Sequence, residues 1–223
     1  MPDPATGGVW LLLDASGPVT VAGLVSGGRW LARNFHEGEF LEWFQGAVAG
    51  LLREDDLRLE DLDGVIYGAG PGSTLGLRLA AMFIRSLGAL PSLEHWSCHQ
   101  YQDLELALAG SLADTGSVLR EAAAPWRRDR LHHCRLTGTH PLTFGNGHIA
   151  PAEAARRQLP GFILGRRPAN MPPGIEWQSP PLDRIPEILS RYPELLTPAA
   201  APAPYQAESP DFVRWTAGRH TGK

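Results

Sequence analysis

Apolar positions along the first hundred residues switch between the repeat of a strand and that of a helix. Val9–Leu13 (VWLLL) is an unbroken apolar run ending at Asp14, the pattern of a strand buried on both faces. SGP then turns the chain, VTVAGLV is strand-forming, SGG turns it again, and RWLARNF reads as a third strand. From about Glu39 to Glu54 the period lengthens. Phe40, Trp43 or Phe44, Ala47 or Val48, and Leu51 fall on one face of an amphipathic helix. GVIYGA is another buried strand, and a glycine-rich turn and a second helix from Thr74 to about Leu90 follow it. PSLEHWS then reads as extended chain and CHQYQDLELALAGSL as a third helix.

Three hairpin-linked strands followed by strand-helix units imply parallel crossovers onto a mixed sheet, the ribonuclease-H-like plan. Beyond about Gly110 the periodicity fades. REAAAPWRRDRLHHCRLTG reads as two strands around a basic turn, and the remainder is rich in Pro and Ala, which admits only short elements. The expected organisation is an α/β N-terminal lobe over 8–109 and a smaller Pro/Ala-rich lobe and tail over 110–223.

Composition narrows the function classes. A chain of 223 residues with 43% hydrophobic content can bury a substantial core. Its net charge of -4 lacks the basic footprint of a protein that grips nucleic acid unaided, so any tRNA contact is expected through a partner. Two cysteines, Cys98 and Cys134, fit a reducing compartment rather than a disulfide framework. The N-terminus has neither a basic leader region nor a long apolar run, and no segment reaches the ~20 apolar residues of a membrane span. The expected location is the cytoplasm, with no membrane partner.

The turn GAGPGS lacks the lysine of a Walker loop, and Ser73 stands where a dinucleotide fingerprint needs its third glycine. Two readings stay open. Ser73 or Thr74 caps the helix that follows, or the free N–H groups near Gly72 and Ser73 receive an anion at the positive helix end. The helix itself is apolar on two sides, with Leu75, Leu79, Met82, Phe83 and Leu87 on one and Leu77, Ala80, Ala81 and Ile84 on another. Such a helix is either enclosed between lobes or meets a partner.

DLDGVIYGAGPGSTLGLRLA resembles the signature of the TsaB (YeaZ) family, which typically reads close to DLDAIAVGRGPGSFTGLRIG. The likeness runs from about Val9 to Ala109, from LLLDAS, similar to the family opening ILAIDTS, to the segment LPSLEHWSCHQYQDLELALA. The resemblance implies an actin-like ATPase fold of two ribonuclease-H-like lobes. It also implies a non-catalytic subunit that pairs with TsaD in synthesis of threonylcarbamoyladenosine beside the tRNA anticodon, with TsaE, an ATPase, binding the pair. A homodimer through the same surface is implied when the chain is alone, with no tightly bound cofactor and ATP or ADP only within the complex. Carried onto this sequence, Phe40, Trp43, Phe44, Ala47 and Val48 of the first helix and Leu77, Ala80, Ala81 and Ile84 of the second become the partner contacts. Arg78 matches the arginine of GLR and is expected to brace the loop or the partner.

The chain departs from the family in having DASG for DTST and PWRRDRLHH for a segment like DARMGEVY. The alternative function is a small ATPase or sugar-kinase-like enzyme, with Asp14, Ser16, Gly70, Gly72 and Ser73 around the phosphates. His95, Cys98 and His99, with His132, His133 and Cys134, carry ligand types suited to zinc, but adjacent strand residues face opposite ways and cannot share one metal, so no metal site is expected. Neither Ser97 nor Cys98 has a patterned base for nucleophilic catalysis, and Arg127, Arg128 and Arg130 beside Trp126 read as a solvated hairpin tip.

Overall fold

The apolar run and the two hairpins expected at the N-terminus form the start of a sheet in a computed structural model that describes residues 7–37, 40–93, 95–113, 119–127, 129–162, 173–200 and 202–203. β1 (Trp10–Asp14), β2 (Val19–Ser26) and β3 (Arg29–Glu37) are antiparallel neighbours. α1 (Phe40–Glu54) leads to β4 (Gly64–Gly68), which pairs parallel with β1, and α2 (Thr74–Gly88) leads to β5 (Ser97–Tyr101), parallel to β4. α3 (Asp103–Ala113) then crosses to a second sheet.

There β6 (Glu121–Arg127), β7 (Arg130–Thr139) and β8 (Leu142–Ile149) form an antiparallel meander. α4 (Pro151–Arg156) and two-residue strands β9 (Gly161–Phe162) and β10 (Trp177–Gln178) complete that sheet in the order β10-β9-β6-β7-β8. α5 (Ile185–Arg191) returns the chain to the first sheet, where β11 (Thr197–Pro198) joins β5 and gives the order β11-β5-β4-β1-β2-β3. The two strands expected around a basic turn are β6 and β7. Beyond β8 the described elements are short, in keeping with the prolines there.

Strand alternation sorts the core into layers. Leu11 and Leu13 pack with Leu24, Val65 and Tyr67 under α1 and α2, whereas Trp10 and Leu12 face the other way, into a core shared with Ala122, Ala124, Cys134 and Leu136 of the second sheet. α3 lies within that shared core, with Leu104, Leu106, Ala107, Leu108 and Ala109 all buried. A helix apolar all round is an enclosed helix, and the one enclosed by both lobes is α3, not α2. The division expected at 109/110 falls inside α3.

One segment corrects the sequence reading. Cys98–Tyr101, expected at the start of a helix, is strand, registered against β4 through Val65↔Cys98 and Tyr67↔Gln100. Parallel pairing with a buried neighbour overrides the weak local preference of SCHQY, and the helix starts only at Asp103, an acid suited to a first turn. Leu90, expected as the end of α2, lies two residues beyond it. Among the described residues no helix is long and apolar enough to cross a membrane.

Candidate partner face and glycine loop

The C-terminal ends of β1, β4 and β5 bring Asp14, Gly68 and Tyr101 side by side. Asp14 Oδ1 accepts hydrogen bonds from the Ser16 backbone N–H at 2.8 Å and the Ser16 hydroxyl at 2.6 Å, and Asp14 Oδ2 accepts one from the Tyr101 hydroxyl at 2.6 Å. All three side chains are buried. Asp103, at the first turn of α3, is buried beside them and leaves Oδ2 without a hydrogen-bond partner. Burial, and after it the neighbouring Asp14 carboxylate, push the Asp103 carboxyl well above the usual carboxylate range. Burial is also the first cause of the raised Tyr101 hydroxyl, which therefore acts as a donor.

The same ties close the glycine loop. Ala69 donates to Tyr101 O, Asp103 donates to Gly70 O and Ser73 donates to Ser16 O, each at 2.9 Å. Gly70 has φ +106, a conformation that favours glycine. Ser73 is the N-cap of α2, its hydroxyl accepting from Gly76 N–H at 3.2 Å. Of the candidate nucleotide residues, Asp14 and Ser16 are engaged with each other inside the protein, and the Ser73 N–H and hydroxyl are both in use. Gly72 is half-buried. The arrangement is a brace that fixes where α2 begins.

The candidate partner residues need a correction. Leu77, Ala80, Ala81 and Ile84 of α2 are buried within the chain, Ala80 and Ile84 in the core formed with the first sheet, as are Phe44, Ala47 and Val48 of α1. The physical reason is close approach. A Cβ at Gly76 would lie 2.2 Å from Ala15 O, so the small residues Gly76 and Ala80, one turn apart, seat the helix on its own sheet. Trp43 is half-buried and stacks on His36 with ring centroids 4.9 Å apart, and Phe44 stacks on Phe83 at 5.4 Å. Phe40 has a side chain outside the described residues.

What α2 leaves to solvent is its other stripe. Leu75 is 68% and Met82 61% exposed, with Leu79 and Phe83 half-buried between them. Arg78 is exposed beside them, with no hydrogen bond or ion pair among the described residues. The neighbouring outer surface of α1 carries Gly46, Ala49 and Arg53, exposed, and Gly50, half-buried. Cβ atoms added at Gly46 or Gly50 would meet nothing within 4 Å. Large apolar side chains are thus exposed on α2 and small residues on α1, features suited to packing against another helix.

The metal-type residues stay apart. His99 packs edge-on against Trp10 at 5.5 Å on β5, whereas on β7 His133 pairs with Glu121 at 3.1 Å and His132 lies beside Trp126 and His148. No group of three or more metal-ligating residues occurs among the described residues. Burial raises the Cys98 thiol to about 11 and the Cys134 thiol further, which keeps both protonated and poorly nucleophilic at neutral pH. Burial, helped by His148, lowers His132 to about 4. Of the expected hairpin tip, the side chain of Arg127 and all of Arg128 lie outside the described residues, and Trp126 stacks on His148 at 4.1 Å.

Sequence reasoning missed Tyr101 and Asp103, and it placed Leu75 and Met82 on one apolar side of α2 without identifying that side as the outer one. Gly76, one turn before Ala80, was the signal for the seated face. Asp103 and Tyr101 sit within a segment whose register is set by pairing, and no local pattern marks them.

Comparison with known proteins places this geometry. Residues 36–94, which run from the end of β3 through α1, the glycine loop and α2, match the family model for TsaD, tRNA N6-adenosine threonylcarbamoyltransferase. No curated protein matches the chain. Among solved structures, YeaZ from Pseudomonas aeruginosa is 18% identical with a TM-score of 0.62, over 89% of this chain and 99% of that one. A second structure, an uncharacterized protein with similarity to peptidase YEAZ from Pseudomonas aeruginosa, gives 18% identity and a TM-score of 0.62 over 90% and 100%. With its two mixed sheets and the glycine loop launching α2 from β4, the chain has the actin-like α/β fold of YeaZ.

Proposed function

We propose that the chain is a non-catalytic partner subunit of a tRNA threonylcarbamoylation system, pairing through the outer faces of α1 and α2 with a TsaD-like catalytic subunit. The observation that carries this reading is the outer stripe of α2, with Leu75 and Met82 exposed and Leu79 half-buried between them. Burying Leu75 and Met82 against a partner is worth ~1.5–3 kcal/mol each. The match of residues 36–94 to the TsaD family model supports it, because that segment holds both helices. In the absence of the partner the same face joins two copies of the chain. A TsaE-like ATPase joins the assembled pair, tRNA is reached only through the complex, ATP or ADP enters only there, and the site of action is the cytoplasm.

The internal engagement of Asp14 and Ser16 favours this reading over a small ATPase or sugar-kinase-like enzyme, which needs those side chains open to phosphate. The test is co-purification with the TsaD-like subunit of the same organism. Wild type is expected to hold the subunit. Leu75→Glu and Met82→Glu are expected to release it while melting at the wild-type temperature, and normal retention by both overturns the assignment.

A further inference from the structure

β3 ends one side of the first sheet, and in the order β11-β5-β4-β1-β2-β3 its second edge meets no strand among the described residues. Such an edge carries a row of backbone N–H and C=O groups able to pair with another strand. The register against β2 slips at Leu31, where Leu24↔Ala32 is followed by Val25↔Trp30, and then runs unbroken to Val19↔Glu37. A bulge disrupts the ladder locally, so the regular part of the edge is residues 32–37.

Along that part Arg33, Phe35 and Glu37 fall on one face, because alternate strand residues point the same way, and all three are exposed. Phe35 is 42% exposed, an aromatic ring left at the rim of a sheet. The Arg33 guanidinium lies over that ring, 5.3 Å from its centroid, and a groove of about 370 Å³ opens beside it against Pro180, Pro181 and Leu182. Charged side chains ordinarily guard an edge against pairing. The order of the charges here favours one particular occupant. When a second β3 runs antiparallel with the two Phe35 residues opposite each other, Arg33 of each copy stands opposite Glu37 of the other. Two opposite-charge pairs then flank an aromatic pair on the same face, the cross-strand contacts that stabilise a sheet. Glu37 has no ion pair among the described residues, and that of Arg33, with Asp183 at 3.4 Å, lies at the surface.

We propose that β3 is a self-pairing edge, taking the β3 of a second copy of this chain antiparallel across a two-fold axis at Phe35 and running the two six-stranded sheets into one. The pairing uses no residue of the outer stripe of α2 and does not rest on the function proposed above.

The experiment uses the full chain carrying Leu75→Glu and Met82→Glu, which silences the α2 stripe, so that the remaining self-association reports on β3 alone. Sedimentation velocity over a rising concentration series is expected to show a monomer–dimer equilibrium. In that background Arg33→Glu sets two pairs of carboxylates opposite each other, and Glu37→Arg two pairs of guanidinium groups. Each change alone should weaken the dimer at least about tenfold. An equimolar mixture of the two variants should restore it as a one-to-one heterodimer, because every introduced charge then meets its opposite. Both positions are exposed, so every variant should melt as the parent does. A parent that stays monomeric at every concentration, single variants that dimerise as the parent does, or a mixture no tighter than its components each overturns the proposal.

Discussion

Tyr101 reaches over Gly68 to donate a 2.6 Å hydrogen bond to Asp14, so that β5 and β1 are joined across the strand between them. The bond exists because position 68 has no side chain: a Cβ there would lie 2.6 Å from Asp14 Oδ2. Tyr101→Phe leaves a buried carboxylate oxygen without its donor and is expected to cost ~1–3 kcal/mol. Gly68→Ala displaces the carboxylate and should cost as much or more through overpacking. Chemical denaturation of both variants checks this, and wild-type stability in both would remove the brace from the account.

Asp103 gives the protein a pH dependence at the alkaline side of the carboxylate range. Its folded-state pKa lies above that of the unfolded chain, so the folded protein keeps a proton that the unfolded chain releases. The associated stability is full below the ordinary value of ~3.9 and is lost as pH rises toward the folded value. Asp103→Asn keeps a donor beside Asp14 without the titration. Melting temperatures of wild type and variant should converge near pH 4 and separate toward pH 8, with the variant higher. Parallel curves would show that Asp103 carries no such proton.

His132 acts in the opposite direction. Burial lowers it to about 4, against an ordinary value near 6.5, so the unfolded chain takes up a proton first. Its stabilising contribution is present above pH 6.5 and is lost as pH falls through 4, ~3 kcal/mol in all. His132→Gln should flatten stability over that window. A wild-type profile already flat between pH 6.5 and 4 contradicts the assignment.

Substitutions on the two sides of α2 should separate folding from partner binding. Ala80 is 1% exposed against the sheet. Ala80→Arg drives a charge into that contact and is expected to cost more than ~3 kcal/mol, showing as loss of soluble protein or of the cooperative melt. Leu75→Glu changes only the outer stripe and should leave the melt within ~0.5 kcal/mol of wild type. If Ala80→Arg folds normally, the orientation of α2 described above is wrong.

The sheet-forming half of the fold was legible in the sequence because its elements announce themselves locally. Val9–Leu13 is too apolar for an edge, GVIYG repeats that pattern, and the glycines of SGG and GAGPGS mark the turns. The period of α2 was legible too, but not which of its two apolar sides faces home. That depends on the shape of the sheet beneath, and only Gly76 hints at it. The strand nature of Cys98–Tyr101 was hidden for the same reason, since pairing with β4 rather than local propensity decides it. The brace at Asp14 joins residues 87 apart, a separation at which no sequence pattern operates.

Enclosure of α3 by both sheets has a consequence for how the chain can be shortened, by experiment or by descent. The small second lobe forms half of the wrapping around a helix with no face suited to water. A fragment ending near Ala109 would present Leu104, Leu106 and Leu108 to solvent and would aggregate rather than stand as an independent unit. The meander of β6 to β8 thus serves as insulation for α3, whatever the outer faces of α1 and α2 do. The two sheets therefore hold one core between them through α3, and neither half of the chain can be removed without exposing it.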